Sequence, residues 1–120
     1  MGIVGVHALL YTSEPEAVRE VLRDVFGWEH VDSGDGWLIF ALPPAELGVH
    51  PAEHLVRRDL SLMCDDLETT MAELRAKGIE FAGEPEDEGW GITVTMRLPG
   101  GADLLLYEPR HPTAIDRSVR

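Results

Sequence analysis

The stretch DLSLMCDDLETTMAELRAKGIEF, residues 59–81, changes period part-way, and that change decides the fold. Its first residues alternate, with Asp59, Ser61 and Met63 on one side and Leu60, Leu62 and Cys64 on the other, the pattern of a strand that covers a core with one face. After Asp65 or Asp66 as an N-cap, Leu67, Met71 and Leu74 recur at helical spacing, and Lys77-Gly78 ends the helix before IEFAG resumes as a strand. Leu60, Leu62 and Cys64 are thereby expected to pack beneath the helix.

Downstream lie two further strand-like pieces, GITVTMRL and, after a turn at Pro99-Gly100-Gly101, ADLLLYE stopped by Pro109. Upstream, the chain carries the same plan. IVGVHALLY reads as a strand, followed by a helix with Ser13 as cap, Pro15 in its first turn and Glu16 completing a Ser-x-x-Glu capping box. Val18, Val21, Leu22 and Val25 form its apolar stripe and Gly27 its C-terminal cap. WEHVDS, WLIFAL and AELGVH then read as three strands, separated by Gly34-Asp35-Gly36 and Pro43-Pro44 and ended by Pro51. The order is strand, helix, three strands, given twice.

The two halves can be brought into register. His7 precedes Ser13 by the same six residues that separate Asp59 from Asp65, an offset of 52. GVHP and LYEP close the two halves and pair His50 with Glu108 at an offset of 58. Two imidazoles and two carboxylates at matching places are a candidate N2O2 set for a divalent ion such as Zn, Ni, Fe, Co or Mn, held on rigid strands. Glu108, in strand phase with Leu104 and Leu106, is the candidate base. Taken singly, each of the four reads as readily as an ordinary core, edge or surface residue; their matching places are what select them. Trp37 and Trp90 are candidates for lining an apolar pocket, with Ser61 and Met63 beside Asp59, and Arg97 on the face Thr93-Thr95-Arg97 is a candidate for a substrate carboxylate or phosphate.

Composition bounds the rest. The 120 residues suit one domain, 44% of them hydrophobic and 27% charged, with no apolar run long enough for a membrane span. The start lacks a basic n-region, so a cytoplasmic protein is expected. One cysteine, Cys64, excludes an intramolecular disulfide. A formal charge of −12 disfavours nucleic acid and anionic membrane as partners. There is no dinucleotide fingerprint, P-loop, CxxC pair or nucleophile elbow.

Three phrases, HALLYTSEPEAVREVLRDVFGW, DLSLMCDDLETTMAELRAKGIEF and MRLPGGADLLLYEP, together with the doubled βαβββ plan, resemble the vicinal oxygen chelate superfamily, the glyoxalase/bleomycin-resistance/extradiol-dioxygenase group. The resemblance spans residues 3–112. It implies an α+β domain of two tandem βαβββ modules, about 1–53 and 54–112, curving into an open cup, with 113–120 as a C-terminal tail and a homodimer as partner. It also carries metal ligation onto His7, His50, Asp59 and Glu108, although metal-dependent members usually offer histidine where this chain has Asp59 and often glutamate where it has His50. Two functions are compatible with it: a divalent-metal lyase or isomerase of glyoxalase type acting on a small carbonyl compound, or a metal-free protein that binds or sequesters a small molecule. A dioxygenase is disfavoured, since it needs a second histidine at Asp59.

Overall fold

Asp66 sets the geometry of the second half. Its carboxylate accepts the Thr69 amide at 3.2 Å and its carbonyl accepts the Thr70 hydroxyl at 2.7 Å, so α2 (Leu67–Ala76) starts where the sequence places it. At the other end Gly78 adopts φ 93°, and the amides of Gly78 and Ile79 close onto the carbonyls of Arg75 and Leu74, the paired bonds of a Schellman cap. The structure is a computed structural model that describes residue 2, residues 7–48, residue 51 and residues 59–115.

Around α2 stand β3 (Ser61–Met63), β4 (Glu80–Asp87), β5 (Gly91–Arg97) and β6 (Leu104–Pro109), in a sheet of order β3-β6-β5-β4. β3 runs parallel to β6, and the other two pairings are antiparallel. This is a complete βαβββ unit, as expected. In the first half α1 (Pro15–Glu20) continues through a π-helical turn (Val21–Val25), and β1 (His30–Asp32) pairs antiparallel with β2 (Leu38–Phe40) as a separate ribbon. The fold is therefore α+β with two sheets. The strands expected from IVGVHALLY and AELGVH are not seen where they fall on described residues: 7–11 and 45–48 carry no regular structure, and their remainder, with His50, lies outside the described residues.

The start of α1 also differs from expectation. Ser13 does not cap it. The Thr12 hydroxyl accepts the Glu14 amide at 3.1 Å while donating to the Pro99 carbonyl at 3.0 Å, so Glu14 becomes the N-cap residue. Glu16 then sits too early for a capping box and pairs with Arg19 at 2.6 Å instead. Gly27 does end the helix, at φ 70°.

Both helices cover one face of the four-stranded sheet. Val18 on α1 is buried with Ile79, Met96, Leu98, Ala102 and Leu104, and Leu67 and Met71 on α2 with Val94 and Leu106. Met96, wholly inaccessible, lies at the centre of this layer. Leu62 and Phe81 pack against both groups, tying the helices to a common floor. Among the described residues no helix lies on the opposite face of the sheet.

Candidate functional site

Alternation along the strands assigns each side chain to one of these two faces. Leu62 pairs with Leu106, Val94 with Leu106 and Met96 with Leu104, and all belong to the helix-covered side. The open side therefore carries two cross-strand rows, Met63–Tyr107–Thr93 and Ser61–Leu105–Thr95. Thr93 and Tyr107 are buried even there. Trp90 stands edge-on to Tyr107 at 5.3 Å between ring centroids, and His111 lies 6.2 Å from the same ring. Glu46 accepts the Ala114 amide at 2.7 Å, bringing the segments around 46 and 114 together. Burial, with the nearby Glu46 carboxylate, raises the Tyr107 phenol, which stays protonated and able to donate at neutral pH.

Glu108 shares the phase of Leu104 and Leu106, and so belongs to the helix-covered face. Its Oε1 accepts the Leu67 amide at 2.9 Å, closing the first turn of α2. The opening amides of α2 are thus satisfied from two sides, by Asp66 within the helix and by Glu108 from across the sheet. A carboxylate suits this place because the helix N-terminus carries partial positive charge.

That arrangement bears on a divalent ion. Asp59 is exposed and in phase with Ser61 and Met63 on the open side, whereas Glu108 is turned to the helix side. Asp59 lies just ahead of β3, and by strand phase the two acids expected to share an ion fall on opposite sides. His7 is exposed, and His50 lies outside the described residues. Among the described residues no three His, Cys, Asp or Glu side chains gather as a metal set. Among the described residues His7, Asp59 and Glu108 do not form a common donor set, since the parity that groups Glu108 with leucines also places it under α2.

The residues singled out as ligand contacts separate in the same way. Ser61 and Met63 lie in the two open rows, and Trp90 flanks Tyr107. Arg97 is exposed at the end of β5. Trp37 immediately precedes β2 of the other sheet, under the Arg19 guanidinium at 5.0 Å, and is 60% exposed. Leu105, Tyr107, Thr93 and Thr95 were not singled out as contacts from the sequence, and only the β3–β6 and β5–β6 registers reveal that they share rows with Ser61 and Met63. Cys64 is half-buried, its thiol 3.6 Å from the Tyr107 carbonyl, and burial pushes that thiol up. This suits a space-filling role.

A sheet with helices on one side and an open, partly aromatic other side defines a class of α+β domains. The chain belongs to the Glyoxalase/Bleomycin resistance protein/Dioxygenase superfamily, whose sequence profile matches residues 6–110. No curated protein matches the chain. Among solved structures it is similar to TnmS3, an antibiotic binding protein from Streptomyces sp. CB03234, at 24% identity and TM-score 0.65 over 91% of this chain and 98% of that one. It is also similar to lactoylglutathione lyase from Agrobacterium tumefaciens, at 20% identity and TM-score 0.62 over 88% and 92%. A superfamily member from Sphaerobacter thermophilus DSM 20745 matches at 20% identity and TM-score 0.60 over 90% and 99%. These likenesses are of fold. Among the described residues no helix is long and apolar enough to cross a membrane.

Proposed function

We propose that the chain binds a small, largely apolar molecule on the open face of the β3-β6-β5-β4 sheet, without a divalent ion at the centre of the site. The observation that carries this reading is the bond from the Leu67 amide to Glu108, which commits the carboxylate best placed in sequence for metal chemistry to holding a helix. What remains on the open side is Met63, Leu105 and Tyr107 with Trp90 at the margin, and the hydroxyls of Ser61, Thr93 and Thr95 between them. Apolar and aromatic walls with a few hydroxyl partners suit a planar organic ligand. The antibiotic-binding neighbour is in keeping with this reading, and the lyase neighbour offers the alternative of a divalent-metal lyase or isomerase using His7, His50, Asp59 and Glu108.

We further propose a homodimer. Support comes from large apolar side chains left exposed, among them Val31 at 65% and Leu47 at 90%, together with Trp37. Sedimentation velocity across a concentration series is expected to show a dimer, and a monomer throughout would remove this part of the proposal.

Thermal unfolding in the presence of planar aromatic antibiotics, with Zn(II), Ni(II) and Mn(II) in parallel, tests the binding reading. A ligand at a hundred times its Kd should stabilise by about 2.7 kcal/mol. That gain should vanish in Leu105→Glu and persist in Glu108→Gln. One equivalent of metal retained by the parent and lost in Glu108→Gln would instead support the lyase reading.

A further inference from the structure

Six cationic side chains fall among the described residues, and four have partners that hold them. Arg19 pairs with Glu16, Arg23 with Asp24 and Arg110 with Asp87, at 2.6 to 2.8 Å, while the Lys77 ammonium reaches the Val25 carbonyl at 3.5 Å. Arg75 and Arg97 are the two guanidinium groups without a carboxylate within ion-pair distance among those residues. In a chain with 22 acidic and 10 basic side chains, a guanidinium without an acid is unexpected, and here both line the same cleft. That cleft, about 560 Å³, lies at the outer edge of the sheet between the C-terminal end of α2 and the facing ends of β4 and β5, bounded also by Gly78, Ile79, Glu80 and Phe81.

We propose that this edge cleft is an anion site that takes the phosphate or carboxylate group of a small molecule between the Arg75 and Arg97 guanidinium groups. Arg75 is pre-positioned, since its guanidinium lies 5.3 Å from the centre of the Phe81 ring and is held there by a cation–π contact. Arg97, in strand phase with Thr93 and Thr95, ends β5 opposite Glu80 and lines the cleft from the other side of the sheet edge to Arg75. Two planar forks of donors match the geometry of a phosphate or carboxylate, which a pair of ammonium groups would not do as well. Glu80 and the carboxyl end of α2 oppose an anion, but the two full positive charges exceed the one carboxylate and the half-charge of the helix terminus. The cleft lies beyond the Met63–Tyr107–Thr93 row, Thr93 being four positions from Arg97, about 13 Å along β5, while Thr95 of the second row is two positions away.

Titration of amide resonances with inorganic phosphate and, separately, malonate tests the proposal, with sodium chloride at matched ionic strength as control. Saturable shifts confined to residues 75–81 and 95–98 are expected. Arg75→Gln and Arg97→Gln should each weaken binding by about tenfold, the loss of one charge-assisted contact. Glu80→Gln, which removes the competing carboxylate, should tighten it. A stronger response to phosphate or to malonate identifies which group the cleft accepts. Shifts that do not saturate, that match those with chloride, or that survive Arg97→Gln unchanged would overturn it. A ligand of the open face should bind Arg75→Gln as well as the parent, so failure here and failure of the open-face reading are separately visible.

Discussion

Glu108 shows how one side chain changes meaning when its face is known. With its carboxylate on the Leu67 amide, Glu108→Ala leaves a half-buried helix N–H without that acceptor and should cost about 1–2 kcal/mol, read by urea unfolding. Glu108→Gln retains an acceptor oxygen and should cost less. A metal ligand would show the reverse emphasis, with activity lost and stability scarcely altered once the ion is removed. Cys64 yields a second test at this scale. Burial raises its thiol, so the thiolate fraction at neutral pH is small and alkylation by iodoacetamide should run slower than for a free cysteine. The rate should climb with a midpoint above the ordinary thiol value of about 8.5. Rapid labelling at pH 7 would show that the thiol is neither buried nor perturbed.

At the scale of elements, α1 is tied to the β5–β6 turn through Thr12. Gly100 adopts φ 69° there, and a Cβ on it would meet the Thr12 hydroxyl and come within 2.8 Å of the Glu14 amide. Gly100→Ala should therefore destabilise by about 2 kcal/mol or more, from backbone strain and overpacking together. Thr12→Ala should relieve part of that cost, so a double-mutant cycle is expected to show coupling. This contact also explains what the sequence could not convey. The caps at Asp66, Gly27 and Gly78 are legible because they are local, each set by residues within a turn of the helix. The start of α1 was misread at Ser13 because the decisive partner is the Pro99 carbonyl, 87 residues away. The bond from Glu108 to α2 was hidden for a related reason: the alternation of its own strand was readable, but which side faces the helices depends on pairing with β3. The strand expected at AELGVH had turn signals on both sides and β-compatible residues between them, and 45–48 nonetheless carry no ladder bonds.

For the whole molecule, charge dominates. The β4–β5 turn holds Asp87, whose carboxylate accepts the Gly89 amide at 2.9 Å and pairs with Arg110 beyond β6 at 2.8 Å. The backbone N–H of Gly89 first, and the Arg110 charge after it, lower the Asp87 acid below the ordinary aspartate range. A depressed carboxyl stabilises the fold above its unfolded pKa of about 3.9, and that contribution is lost as pH falls through the lower folded value. Asp87→Asn should thus be less stable than the parent at pH 6, with the difference closing below about pH 4. A gap in melting temperature that stays constant down to pH 3 would mean that the pair contributes nothing through its charge.

The position of β6 has a consequence for how the protein is made. It is an interior strand of its sheet, bonded to β3 on one side and β5 on the other, yet it is the last of the four to leave the ribosome. Until residues 104–109 emerge, β3 lacks its neighbour among the described strands, α1 lacks Leu104 and α2 lacks Leu106. During synthesis the nascent second module must therefore wait with the core around Leu62, Val94 and Met96 incomplete. That interval is where holding chaperones would engage the chain, and where aggregation would compete with folding.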